Sequence, residues 1–212
     1  CPALTHLHIY NCPDLSNEAF EVLGCCIGLQ SLVLISCDQL HTIPDLSACT
    51  QLTEIALSCY QLTSISSLSS CTSLDKLTIV NSALPDTGFI SLETCAGLTR
   101  LNLFLCGQLM TFPNLAACAQ LSEIAFENCA KLTSLSSLAR CPSLSDLSIR
   151  NCKALPNESF KVLESCTALR SLVVRGCPKL RNGPNLGACK DLVSYRFEGC
   201  GEDGWSMSFG PS

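Results

Sequence analysis

The sequence predicts an α/β solenoid: a parallel β-sheet of about nine short strands on one face, with short helices, 3₁₀ turns and loops returning the chain on the other. Two observations predict it. Cysteine recurs every 22 to 25 residues, at Cys1, Cys26, Cys49, Cys71, Cys95, Cys118, Cys141, Cys166 and Cys189, and self-similarity at that period marks stacked supersecondary units. Inside each unit an apolar pair separated by one residue, such as Leu7 and Ile9 or Leu147 and Ile149, has the period of a strand with one buried face. The rest of each unit must carry the chain back to begin the next strand in parallel.

Composition bounds the alternatives. With 212 residues, 47% hydrophobic and 15% charged, the chain can bury a core and is neither disordered nor a solvated coiled coil. A net charge of −5 gives no basic footprint for nucleic acid. No apolar run approaches the roughly 18 to 20 residues that span a bilayer. The unusual number is 18 cysteines, a density that in a short secreted protein reads as a disulfide scaffold.

The units share the pattern C-x-x-L-x-x-L-x-L-x-x-C-x-x-L, as in Cys1, Leu4, Leu7, Ile9, Cys12, Leu15 and again in Cys141, Leu144, Leu147, Ile149, Cys152, Leu155. This resembles the leucine-rich repeat over essentially the whole chain, with features of both the BspA-like repeats and those of F-box proteins and plant immune receptors. The resemblance implies a curved horseshoe or arc with the sheet on its concave face. One leucine-rich-repeat domain is expected over 1–200, with 201–212, which carries Trp205, as a C-terminal cap or linker tail.

A longer period of 70 residues lies over the short one, so that three unit types cycle A-B-C, A-B-C, A-B. The A returns, around Asn17-Glu18-Ala19-Phe20, Asp86-Thr87-Gly88-Phe89 and Asn157-Glu158-Ser159-Phe160, are long enough for a short helix. Ser16 or Asn17, and Asn157, are the expected N-caps. B and C returns carry Pro44, Pro113 and Pro184 or the tracts Ser66-Ser67 and Ser136-Ser137, and should form tight turns or 3₁₀ pieces. Cys1 already stands inside a repeat, and a solenoid needs its end units shielded, so further domains in a longer protein are expected.

Seventeen cysteines fall into two columns. Nine open the units. Eight form a ladder at Cys12, Cys37, Cys59, Cys106, Cys129, Cys152, Cys177 and Cys200, with Ser82 in the ninth place and Cys25 outside both columns. Stacked equivalent positions aim their Cβ atoms in the same direction, and a serine can replace a hydrogen-bonding thiol but not half of a disulfide. Buried thiols are therefore preferred over a disulfide scaffold, which favours an intracellular location without excluding the cell surface. Recurring cysteines 10 to 14 residues apart do not converge as zinc ligands do, and no metal or cofactor is expected.

The residues between the inward leucines face out on the concave side. Tyr10, Val33, Ile35, Val80, Arg100 and Phe104 form the candidate partner-binding patch, because exposed apolar side chains that cluster within a polar rim mark interaction surfaces. Units six to nine carry mostly opposite charges there. His6 and His8 share this face but have no evident third ligand. Asn157-Glu158-Ser159 matches the glycosylation sequon at near-chance frequency. There is no Gly-rich phosphate loop, nucleophile elbow or His-Glu-x-x-His, and nothing cationic in sequence beside Cys25 to activate it. The expected function is non-enzymatic recognition of a protein or peptide. A structural subunit of a larger complex is the alternative, and an adhesin-like surface protein a remoter one.

Overall fold

The computed structural model describes residues 1–210; residues 211–212, the last of the expected tail, lie outside the described residues. Nine parallel strands stack in sequence order: β1 (His6–Tyr10), β2 (Ser31–Ile35), β3 (Glu54–Ser58), β4 (Lys76–Val80), β5 (Arg100–Phe104), β6 (Glu123–Glu127), β7 (Asp146–Arg150), β8 (Ser171–Arg175) and β9 (Ser194–Cys200). The register places equivalent residues side by side, so Leu7, Leu32, Ile55, Leu77, Leu101, Ile124, Leu147 and Leu172 form one continuous inward row. From β2 onward these side chains are almost wholly buried, each stabilising the fold by about 2 kcal/mol through lost apolar surface.

A tenth strand, β10 (Trp205–Phe209), runs antiparallel to β9. The reversal turns on Gly201 and Gly204, both in the left-handed region at φ +71° and +62°. A Cβ on Gly201 would stand 2.7 Å from the Trp205 ring, so only glycine leaves room for the indole. That indole donates Nε1–H to the Leu180 carbonyl at 2.9 Å and lies against Phe197, which is fully buried.

The returns contain only 3₁₀ helix. Nine-residue stretches at Asn17–Cys25, Asp86–Thr94 and Asn157–Ser165 occupy the A units, and five-residue stretches at Ser66–Ser70 and Ser136–Arg140 the C units. Each A stretch buries one phenylalanine, Phe20, Phe89 or Phe160, over the leucine rows. The proline-bearing B returns have no helix.

The expected helix caps are corrected. Neither Ser16 nor Asn157 accepts a backbone N–H of its own helix, and the Ser16 hydroxyl donates instead to the Glu18 side chain. Asn157 instead accepts from the backbone N–H groups of Arg181 and Asn182, and Asn17 accepts from His41 N–H and donates to the Thr42 carbonyl. Asp86 does the same with Met110 and Thr111 at 2.7 and 3.0 Å. The proline-containing turn of the next unit leaves donors that no strand can take, and a carboxamide or carboxylate from the preceding unit satisfies them.

Candidate functional site: the concave face

Three outward rows run across the strands. The third begins Tyr10, Ile35, Ser58, continues with Val80, Phe104, and ends Glu127, Arg150, Arg175, Glu198. It is therefore apolar at one end of the sheet and charged at the other. Of the sequence-predicted patch, Tyr10 and Ile35 are direct cross-strand neighbours, and so are Val80 and Phe104. Val33 lies in the middle row beside Ala56, and Arg100 in the first row between Lys76 and Glu123. Tyr10 is 54% exposed, while Val33, Ile35, Val80 and Phe104 are half-buried by their neighbours. Arg100 is exposed and stands 3.8 Å from Glu123. Two arrays thus form, Tyr10–Ile35–Val33 and Val80–Phe104, with Ser58 between them.

Sequence reasoning missed Leu105. After the fifth strand position the backbone enters the left-handed region at eight of nine units, with φ between +49° and +60°. At seven of the eight that bend aims the N–H at the carbonyl ending the next strand, as in Asn81 to Phe104 at 2.9 Å and Asn128 to Arg150 at 2.9 Å, while Gly199 N–H donates to Ser206 Oγ at 3.3 Å. Asn, Ser or Gly fills the position at seven units, as expected of residues that tolerate this conformation. At unit five it is Leu105, 48% exposed, whose side chain gains nothing from the core. A leucine there costs about 1–2 kcal/mol. The recurring Asn-Cys and Gly-Cys pairs were the available signal.

Unit three has no such residue, because Ser58 runs directly into Cys59. Pairing between β3 and β4 stops one step early, at Leu57 and Ile79, and Tyr60 is left exposed beside the gap in the third row.

The cysteines form the wall behind this face. All eighteen are free thiols. Seven of the eight ladder cysteines are buried and Cys12 is half-buried. Four of their thiols donate to carbonyls of the preceding strand, as in Cys129 to Leu103 at 3.4 Å, Cys59 to Leu34 at 3.7 Å and Cys200 to Val174 at 3.7 Å, and the other four to the carbonyl that ends their own strand. The opening column does likewise, with Cys49 to Leu23 and Cys118 to Leu92, both at 3.3 Å. Ser82 takes the ladder place with its hydroxyl 3.8 Å from Cys106 Sγ. Burial pushes the Cys59, Cys95, Cys141 and Cys177 thiols up to about 12, and Cys71, Cys118 and Cys166 up to about 11. These groups stay protonated and unreactive. Cys25 is exposed.

His6 and His8 lie edge to face with centroids 6.3 Å apart, and His8 shares a contact with Ser31 at 3.3 Å. Among the described residues no three His, Cys, Asp or Glu side chains are grouped to hold a metal ion, and no helix is long and apolar enough to cross a membrane.

No protein-family model matches the chain, and no curated protein matches it. Among solved structures it is similar to internalin C2 of Listeria monocytogenes, with 19% identity over 91% of this chain and 80% of that one, at a TM-score of 0.67. The functional domain of InlJ from Listeria monocytogenes, whose description includes a cysteine ladder, is 14% identical over 92% of this chain and 69% of that one, at a TM-score of 0.24. The fold is that of the leucine-rich repeat.

Proposed function

We propose that this leucine-rich-repeat solenoid is a non-enzymatic recognition module that binds a protein or peptide on its concave face, through Tyr10, Val33, Ile35, Val80, Arg100 and Phe104. A preformed sheet presents side chains at fixed spacing, so binding does not have to order loops. The observation that carries the reading is Leu105. It follows Phe104 directly in the chain and is exposed in a backbone conformation that disfavours leucine, and strain of this kind concentrates where a surface has work to do. Panning a displayed random-peptide library on the protein should select sequences rich in aromatic and aliphatic residues. Their binding should fall at least about tenfold in the double variant Phe104→Ala, Ile35→Ser, each truncation removing a side chain on the scale of an interface anchor, and persist in Val22→Ser on the opposite side. Equal binding to the double variant would remove this patch from consideration.

One observation favours assembly as a second reading. Leu7 and Ile9 of β1 are only half-buried, while their counterparts Leu32 and Leu34 in β2 are fully buried, and among the described residues nothing pairs with the outer edge of β1. Such an edge is a template for a further strand. Sedimentation of the isolated chain separates the readings: a packed component self-associates at micromolar concentration, and a stand-alone binder stays monomeric.

A further inference from the structure

The charged end of the concave face contains a cavity of about 330 Å³, walled by Arg150, Arg175, Arg196, Tyr195, Ser208 and Phe209. Its floor is the sheet. Its far wall is β10, whose closing residue Gly210 (φ +105°) packs so tightly on Ser194 that a Cβ there would lie 2.6 Å away. Phe209 stacks on Tyr195 with centroids 5.8 Å apart.

Three guanidinium groups line this cavity, and two of them share one carboxylate. Glu198 lies 2.9 Å from Arg175 Nε and 3.5 Å from Arg196 Nε. Arg150 and Arg175 are direct cross-strand neighbours, an arrangement of like charges that destabilises a sheet unless an anion offsets it. Arg150 forms no ion pair among the described residues. It donates Nε–H to Ser148 Oγ at 3.2 Å, and its terminal N–H groups have no partner among the described residues. Glu127, its neighbour on the other side, is turned toward Asn128. Arg175 donates Nη2–H to Glu198 Oε1 at 3.4 Å, while its buried Nε, although close to Glu198, makes no hydrogen bond. The chain as a whole carries a net charge of −5, so this concentration of unpaired donors runs against its overall sign.

We propose that this cavity is an oxyanion-binding subsite, taking a phosphoryl or carboxylate group between the free faces of Arg150, Arg175 and Arg196. Planar guanidinium forks match both groups bidentately. That the oxyanion is carried by a peptide lying along the concave face rests on the recognition reading above; the subsite does not. With its apolar array at one end and this cavity at the other, the sheet fits an extended segment with apolar residues followed by an acidic or phosphorylated one.

The test is titration of the folded protein with inorganic phosphate and, separately, with acetate, at constant ionic strength held with chloride. The readout is the arginine Nε–Hε NMR signals. Saturable shifts confined to Arg150, Arg175 and Arg196 are expected. Tighter phosphate binding identifies a phosphoryl subsite, and equal or tighter acetate binding a carboxylate one. Arg150→Gln should weaken binding at least about tenfold, as loss of a charge-assisted donor pair does. Glu198→Gln, which releases the two tied guanidiniums, should strengthen it about threefold or more. Unchanged melting of both variants shows that the fold is kept. Shifts that are linear or spread over all arginines, or affinity indifferent to both variants, would overturn the subsite while leaving the peptide panning result intact.

Discussion

Raising the pH above about 9 should destabilise this protein steeply. Cys59, Cys71, Cys95, Cys118, Cys141, Cys166 and Cys177 are each at most 4% exposed, and burial holds their thiols at about 11 to 12 against an ordinary value of 9.0. A group whose folded pKa is raised contributes stability that is complete below the unfolded value and lost as pH rises toward the folded one. The window therefore opens near pH 9 and closes near pH 11 to 12. At pH 9.5 the unfolded chain gains about 0.8 kcal/mol per thiol from ionisation that the folded chain cannot share, so the seven together remove about 6 kcal/mol relative to pH 7.5. For a chain of this size that lowers the melting temperature by about 10–25 °C. Thermal melts by circular dichroism under an inert atmosphere with a phosphine reductant measure it directly. A shift below about 3 °C, or thiolate absorbance at 240 nm rising as far in the folded protein at pH 9.5 as in the unfolded one, would show that the thiols are not buried as described. Cysteines paired as disulfides would have nothing to ionise and would give the same refutation.

Other perturbations separate the remaining parts of the structure. Leu105→Asn should raise stability by about 1 kcal/mol, because asparagine suits the left-handed backbone, and should weaken peptides selected on the concave face; a lowered melting temperature would deny the strain. Asp86→Ala removes the acceptor for two backbone N–H groups and the Thr111 hydroxyl and should cost about 1–3 kcal/mol, whereas Asp86→Asn should keep most of that, as Asn17 and Asn157 do in their own units; equal losses in urea unfolding would contradict the bridging role. Trp205→Ala should cost about 2–4 kcal/mol, and hydrogen exchange should speed first in β9 and β10; protection lost evenly along the solenoid would count against a local cap.

The strands were readable because their signal is local and repeated. An inward leucine is identified by its own neighbours, and the period then states which residues stack. The returns were less legible for the opposite reason. Asn17 and Asn157 stand where an N-cap would, but their partners come from the next unit, 24 or 25 residues on, and nothing in the local sequence distinguishes the two uses. Leu105 was hidden because a leucine at the end of an apolar strand reads as one more strand residue. The arginine cavity needed two facts at once. The repeat aligns Arg150 with Arg175, but the wall of Ser208 and Phe209 depends on β10 folding back, and only the glycines at 201 and 204 hint at that reversal.

The departures from regularity are not scattered. Unit three is one residue short after Ser58, and unit four, with Ser82 in the cysteine ladder, is one residue short before Leu84. Leu105 follows in unit five. All three lie under or beside the Val80–Phe104 array. A sequence that keeps its repeat through nine units gains continuous ladders of hydrogen bonds and buried leucines from every unit that conforms. Shortening two adjacent units sacrifices the β3–β4 pair beyond Leu57 and Ile79 and exposes Tyr60, and the leucine at unit five adds a further cost. Local rules broken together at one place on an otherwise consistent scaffold support the proposed reading of this face as a contact surface. The same reasoning separates the two ends of the sheet. At the apolar end the backbone itself has been altered. At the arginine end the repeat is intact, and only its outward side chains and the returning β10 differ from a plain solenoid. Residues at the first end should therefore tolerate few substitutions without changing the shape of the face, whereas those at the second can be exchanged with the scaffold unchanged.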